Sequence, residues 1–326
     1  MSRLYRRNRD LSRPIERLTL TVESPEEGRF DSFLTRHLAW RSRAGAQELI
    51  RDGRARVNGE RKKPSTRLRT GDVVTVDVVR PPPERPPPDP EISVLFEDGH
   101  LLALDKRAGV VVHPVGAHQQ GTLLQELHRR ASTPPGPPGV LPKLIHRLDQ
   151  YTSGLLLVAK SDAVRAAFSG MLARGEVEKV YEALLLGCAP WEQRTVDEPI
   201  GSVGDSRILM RVDREGGKEA RSHFAVRERF ARATHVGVRI ETGRTHQIRV
   251  HASHMGMPLL GDHLYGDGIA LPGFERFALH AGRIRFRHPM TGDATEILSP
   301  LPRPFTEAMD LLRGAPSAPR DGGVRG

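Results

Sequence analysis

The chain has 326 residues, with 50 Lys plus Arg against 40 Asp plus Glu, 14 His and a formal net charge of +10 at pH 7. Its lone cysteine, Cys188, excludes an intramolecular disulfide and has no CxxC neighbour for a cysteine zinc site. No segment approaches the ~18 apolar residues of a membrane helix, and the arginine-bearing amino terminus lacks a signal-peptide core, so a cytoplasmic protein of more than one domain is expected.

The charge is unevenly placed. It concentrates in a basic segment over 1–17 (Arg3, Arg6, Arg7, Arg9, Arg13, Arg17) and again from Arg51 to Arg69, whereas the middle of the chain is nearly balanced. Such asymmetry favours a polyanion-binding surface over general basicity, because each Lys or Arg on a phosphate releases condensed counterions.

Residues 18–80 read as a small domain. Phe30, Phe33, Leu34 and Leu38, then Leu49 and Ile50, fall at helical spacing, with Asp31 or Ser32 able to cap the first turn. Two short helices are predicted. Beyond Asp52-Gly53, Asn58-Gly59 is a hairpin-turn signal and Val73 to Val79 a strand. Residues 81–91 belong to the seam RPPPERPPPDPE, whose prolines cannot donate backbone hydrogen bonds, and a stiff linker is expected there.

Residues 92–313 form the second predicted domain. ISVLFED and HLLALDK read as strands, and Gly121–Leu123 start a helix running to about Arg130. A Pro/Gly loop over Thr133–Gly139 precedes LIHRLDQYTSGLLLVAK, Leu144 to Lys160. Within it, Thr152–Gly154 is a predicted turn and Leu155–Ala159 a buried strand, too short to span a bilayer. Asp149 stands just ahead of that strand, beside Arg147, and an ionised group so placed needs a partner or a purpose.

Ser161 or Asp162 caps a further helix, through Leu172, that Gly175 ends, and EVEKVYEALLLG is a strand that turns Tyr181 away from the face of its neighbours. TGRTHQIRVH, Thr242 to His251, supplies Arg244, His246 and Arg249 as partners for Asp149. His246, His251 and His254 lie close in a predicted helix but lack a flanking carboxylate and HExxH spacing, so no metal is expected. The tail, 314–326, is rich in Gly, Pro, Ser and Arg and is expected to be disordered. Strands and helices in this order point to an α+β core with a mixed, largely antiparallel sheet.

Two stretches together, HRLD followed by TSGLLLVAK and the later HQIRVH, resemble the RluA-type RNA pseudouridine synthases. MGMPLLGDHLYG and FALHAGRIRFRHPMTG extend the likeness to about Pro304. The pattern from Gly28 to Val79 is similar to the αL RNA-binding domain, so the resemblance implies a pseudouridine synthase core with a small N-terminal αL domain, in the large-subunit ribosomal RNA branch of the family. Arg107 replaces the family's usual Pro, Gln150-Tyr151 its charged pair after HRLD, and Ser222 a common Thr.

The resemblance implies an isomerase that needs no cofactor. Asp149 would be the catalytic carboxylate, acting at C1′ or in proton abstraction from the 2′ position. Tyr181 would pack on the uracil and assist proton removal at C5, and Arg249 would keep Asp149 ionised. Arg147 would fill the gap left by a flipped nucleotide, Leu155 would line the base, and His146, Arg244 and His246 would contact substrate. Arg36, Arg41, Arg43, Arg51, Arg54, Arg56, Lys62 and Lys63 would track phosphates. RNA is the expected partner, ribosomal RNA ahead of transfer RNA, with no membrane role and the oligomeric state left open. A non-catalytic RNA-binding ribosome-assembly factor on the same fold is the alternative, but it would not require Asp149, Tyr181 and Arg249 together. A nucleoside glycosidase would need a second carboxylate, which neither the HRLD nor the HQIR segment holds.

Overall fold

The structure is a computed structural model describing residues 17–24, 28–38, 43–77, 92–114, 120–131, 141–204, 209–266, 268 and 277–314. The basic N-terminal residues ahead of Arg17, together with Arg41, the proline-rich seam, the Pro/Gly loop and the tail after Gly314, lie outside these. The described residues divide into two units, one within 1–90 and 111–142 and the other within 91–110 and 143–326.

In the first unit, strand β1 (Arg17–Thr21) is followed by helices α1 (Phe30–His37) and α2 (Arg43–Arg51), then strands β2 (Ala55–Val57) and β3 (Val73–Asp77). The three strands form an antiparallel sheet in the order β1-β3-β2. The predicted helical stripe, Phe30, Phe33, Leu34, Leu38, Leu49 and Ile50, is buried in one cluster with Val74 and Val76. Asn58 and Gly59 both take positive φ, as the turn signal requires. The Asp31 carboxylate is fully buried, where it accepts paired hydrogen bonds from Arg29 at 3.0 Å and one from Gln47 at 2.9 Å. Hydrogen bonding to Arg29 outweighs burial and holds this carboxyl well below the usual carboxylate range.

The second unit opens with β4 (Ser93–Glu97) and β5 (Leu101–Lys106). After α3 (Leu123–Ala131), which groups with the first unit, come β6 (Lys143–Leu144), β7 (Ser153–Ala159), α4 (Asp162–Ala173), β8 (Glu178–Leu186), β9 (Gln193–Asp197), β10 (Ile200–Ser202), β11 (Met210–Val212), β12 (Arg221–Arg229), β13 (Ala233–Ile240), α5 (Gln247–His254), β14 (Leu279–Arg287), β15 (Ala294–Leu298) and α6 (Arg303–Gly314). Ten strands make one sheet, in the order β4-β5-β7-β14-β8-β13-β12-β9, with β15 on β14 and β6 on β7. All these pairings are antiparallel except β7 with β14. Among the described residues no helix is long and apolar enough to cross a membrane.

All seven residues of β7 are buried, as the apolar run predicts. The predicted turn at Ser153 and Gly154 is instead the start of the strand, because these two residues pair with His280 and Ala281 of β14. Gly154 takes φ +97°, and a Cβ there would collide with the Ala281 carbonyl oxygen. Beyond that short junction β7 and β14 part company. Ile145 and His146 occupy the free edge of β7: the Ile145 amide donates to the Leu157 carbonyl at 3.1 Å, and His146 Nε2 accepts from the Leu157 amide at 3.1 Å. The segment that carries Asp149 is thereby seated in the split between two central strands.

Candidate active site

Six of the residues nominated from the sequence line one pocket: Arg147, Asp149, Tyr181, Arg244, His246 and Arg249. Two others do not line it. His146 is the strap to β7 just described, and Leu155 is 2% exposed within that strand. Both faces of β7 are covered, so its alternation does not bring Leu155 to the pocket.

The turn after Asp149 is fixed from the opposite side. Thr152 donates its amide to the Asp149 carbonyl at 3.1 Å, while the Gly109 amide donates to the Gln150 carbonyl at 2.9 Å and the Gln150 side-chain amide donates to the Gly109 carbonyl at 3.1 Å. The buried Lys106 ammonium donates to the carbonyls of Arg107, Val110 and Gln150 at 2.9, 3.0 and 2.8 Å. Burial lowers this ammonium to about 7, with the negative Asp149 opposing the shift. Gln150, where the family resemblance leads one to expect a charged residue, is therefore part of the scaffold under Asp149.

Tyr181 occupies the middle of β8, opposite Val238 of β13 and Ala281 of β14. Burial, and then the charge of Asp149, raise its phenol above the ordinary value, so the hydroxyl is neutral and available as a donor.

Arg249 is 6% exposed on α5. Its Nε and Nη2 donate to Asp262 Oδ2 and Oδ1 at 2.7 and 2.8 Å, and only Nη1 faces Asp149 Oδ2, at 3.6 Å. The guanidinium lies 4.0 Å from the Phe277 ring centre and 4.8 Å from that of Tyr265. The reading in which Asp149 is the main partner of Arg249 thus needs amendment: the closely bonded carboxylate is Asp262. Burial raises the Asp262 carboxyl, but the Arg249 hydrogen bonds and charge outweigh it and leave the group below its usual value.

His246 begins α5 in the left-handed region, φ 56°, which side chains other than Gly seldom adopt. Gln247 stabilises this turn by accepting hydrogen bonds from Thr242 Oγ1 at 2.7 Å and the Arg244 amide at 3.0 Å. His246 Nδ1 lies 2.7 Å from the Tyr265 hydroxyl, which already accepts from the Met210 amide at 3.0 Å. With Tyr265 assigned as the donor to Nδ1, the His246 proton is on Nε2, 3.9 Å from Asp149 Oδ2. Burial lowers His246 below the usual histidine value, so the ring is neutral at pH 7.

Arg147 and Arg244 are exposed at the pocket, with Arg244 Nε donating to the Glu219 carbonyl at 2.8 Å. His251, grouped with His246 and His254 in the sequence, is engaged by Ser222 Oγ and the Glu198 carbonyl, each at 2.9 Å. In the first unit Arg36, Arg51, Arg56, Lys62 and Lys63 are exposed, whereas Arg54 donates to the Asp77 carbonyl and Arg43 reaches Asp31 at 3.5 Å. Asp262, Tyr265, Gln247 and Lys106 were not nominated from the sequence; the GDHLYG string contains the first two, but nothing in it says that they meet α5.

Comparison with known proteins places the chain in a family. A family model described as RNA pseudouridylate synthase matches residues 100–254, and an S4 domain model matches residues 28–74. The chain is 39% identical over 298 residues to the uncharacterized RNA pseudouridine synthase YlyB of Bacillus subtilis, spanning 91% of this chain and 97% of that one. The chain belongs to the RNA pseudouridylate synthase family. It is an isomerase with an S4-type N-terminal domain. Ribosomal large subunit pseudouridine synthase D of Pseudomonas aeruginosa is 37% identical, spanning 87% of this chain and 92% of the relative. Two solved human structures share the fold: RNA pseudouridylate synthase domain containing 4 (TM-score 0.56, 23% identity, 68% of this chain and 93% of that one) and domain containing 1 (TM-score 0.53, 26% identity, 72% and 99%).

Proposed function

We propose that this isomerase converts uridines of large-subunit ribosomal RNA to pseudouridine, with Asp149 as its catalytic carboxylate. One observation carries the reading: Asp149 shares a pocket with Tyr181, His246 and Arg249, three groups drawn from a different strand and helix. In the reaction the C1′–N1 bond of uridine breaks, the uracil turns, a C1′–C5 bond forms, the C5 proton passes to water, and N1 takes up a proton in its place. No oxidation or hydrolysis results, and the residues of the pocket suffice for the proton movements.

Asp149 acts at C1′ or takes the 2′ proton, with Arg249 Nη1 3.6 Å and His246 Nε2 3.9 Å from its Oδ2. Tyr181 offers its ring as a platform for the uracil, and its neutral hydroxyl relays the C5 proton, taking it up as its own passes to water. A base inside a helix must first leave its stack, and the exposed Arg147 beside the pocket is the residue to occupy the space it vacates. Arg244 binds backbone near the pocket, while Arg36, Arg51, Arg56, Lys62 and Lys63 of the S4-type unit track phosphates without reading sequence. The preference for large-subunit ribosomal RNA over transfer RNA rests on what relatives such as the Pseudomonas protein are named for.

The test uses ribosomal and transfer RNA transcribed with 5-tritiated uridine and counts tritium released to water. The reading expects release from large-subunit RNA with the wild-type protein and none with Asp149→Asn. Release from transfer RNA alone overturns the substrate, and an active Asp149→Asn overturns the role of Asp149.

A further inference from the structure

We propose that Asp262 is a positioning residue of the reaction, which keeps Arg249 from closing on Asp149. The inference rests on the reading of Asp149 as the catalytic carboxylate. Its physical basis is competition between two carboxylates for one guanidinium. An arginine presents five N–H donors in a fixed planar fork, and its strongest pairings are the bidentate ones. Asp262 takes the Nε and Nη2 edge of Arg249 at 2.7 and 2.8 Å. Asp149 is left with Nη1 at 3.6 Å, close enough for charge to matter and too far for a hydrogen bond.

Asp262 is equipped to hold that edge. It is 1% exposed, and besides Arg249 its Oδ1 accepts from the amides of Leu264 and Tyr265 at 3.0 and 3.2 Å. Every hydrogen-bond partner of its carboxylate among the described residues is a donor, and each favours the charged form. The rings of Phe277 and Tyr265 flank the guanidinium and limit its swing. The same segment supplies Tyr265 to His246, so Leu259–Gly266 sets the positions of both groups that face Asp149. A carboxylate in a tight bidentate pair is a poor nucleophile and a poor base; one held at a distance remains charged and free to act.

Asn at 262 cannot satisfy this arrangement. Whichever way the amide is turned, its NH2 faces either an Arg249 N–H or the N–H groups of Leu264 and Tyr265. Asp262→Asn therefore frees Arg249 to pair with Asp149. Single-turnover release of tritium from 5-tritiated large-subunit ribosomal RNA should fall by roughly 10- to 100-fold, the scale of an ångström-sized misplacement, while the RNA Kd stays within about 2-fold of wild type. A residue that acts only through Arg249 also predicts non-additivity. Adding Asp262→Asn to Arg249→Met should cost no further activity, whereas a general structural role would make the two losses multiply.

The experiment compares the full-length wild type, Asp262→Asn, Arg249→Met, the double variant and Asp149→Asn. A wild-type rate for Asp262→Asn, or multiplied losses in the double variant, overturns the proposal. If Asp262→Asn alone does not fold, the comparison of the double variant, which buries neither charge, with Arg249→Met decides the matter in the same terms. An active Asp149→Asn would instead remove the reading on which the proposal stands.

Discussion

Lys106 Nζ lies 2.8 Å from the carbonyl oxygen of Gln150, which ties the end of β5 to the residue that follows Asp149. The ammonium has three donors and three carbonyl partners, so no donor is left over. Lys106→Met fills much of the same volume but leaves those carbonyls without it. The expected cost is about 2–4 kcal/mol, read as a lower urea midpoint, together with a roughly 10-fold slower single turnover as the turn beneath Asp149 loosens. A destabilised variant with the wild-type rate would show that the tether serves the fold alone.

Tyr181→Phe separates the two uses proposed for this side chain. The ring remains on β8 and the hydroxyl is lost, so RNA affinity should persist while tritium release falls by roughly 100-fold, the low end of general acid–base contributions. Tyr181→Leu should lose both the release and part of the affinity for RNA containing the target uridine. Equal rates for wild type and Tyr181→Phe would leave only the stacking role.

At Gly154 the prediction concerns the junction of β7 and β14. Alanine at φ +97° would be strained in its own backbone and would push its Cβ into the Ala281 carbonyl oxygen. Gly154→Ala should destabilise the second unit by more than about 3 kcal/mol in urea unfolding, with loss of tritium release at temperatures where wild type is active.

The stability of the second unit should depend on His146. Burial, then the charge of Lys179, lower this histidine from 6.5 to about 4, and its Nε2 accepts the Leu157 amide hydrogen bond only when unprotonated. Between those two pH values the unfolded chain binds the extra proton and the folded chain does not. Stability therefore falls as the pH is lowered from about 6.5 to about 4, and this group contributes no slope above 6.5. Burial lowers His246, His251 and His280 in the same direction, so the observed slope is a sum. His146→Gln keeps an acceptor without the titration, and should flatten the curve by on the order of 3 kcal/mol in denaturant unfolding measured across that range.

Elements were legible in the sequence wherever a local pattern determines them. The stripe from Phe30 to Ile50 became the buried face of α1 and α2, and Leu155–Ala159 lies in a strand with every residue covered. Ser161 caps α4 by accepting from the Val164 amide, as its position before an apolar face implies. Long-range pairing was not legible. Ser153 and Gly154 carry a turn signal, and pairing with β14, more than a hundred residues on, and of Gly154 with Lys106 of β5, makes them the first residues of a strand. Leu155 was nominated for the base on the family resemblance, yet periodicity does not choose a face in a strand buried on both. β9 has one buried residue in five, too faint a pattern to announce a strand.

Within the site, Asp149, Tyr181 and Arg249 were found together because their surrounding strings resemble a family, and the structure gathers all three at one pocket. Asp262 was passed over because an Asp after Gly reads as an ordinary turn residue. Its importance depends on where α5 delivers Arg249, a fact of packing with no signature in the local sequence.

The single parallel contact in the sheet also constrains when the enzyme can become active during its own synthesis. Ser153 meets His280 across 127 residues of chain, and Asp105 meets Ser299 across 194. Contacts so distant reward the chain only after a long loop has been closed, which slows their formation. Tyr181 lies between β13 and β14, so its strand has an unpaired edge until the last quarter of the chain has emerged. The N-terminal unit, by contrast, completes its sheet with β3 at Asp77. A nascent chain of this enzyme thus acquires its capacity to hold RNA long before its capacity to change it.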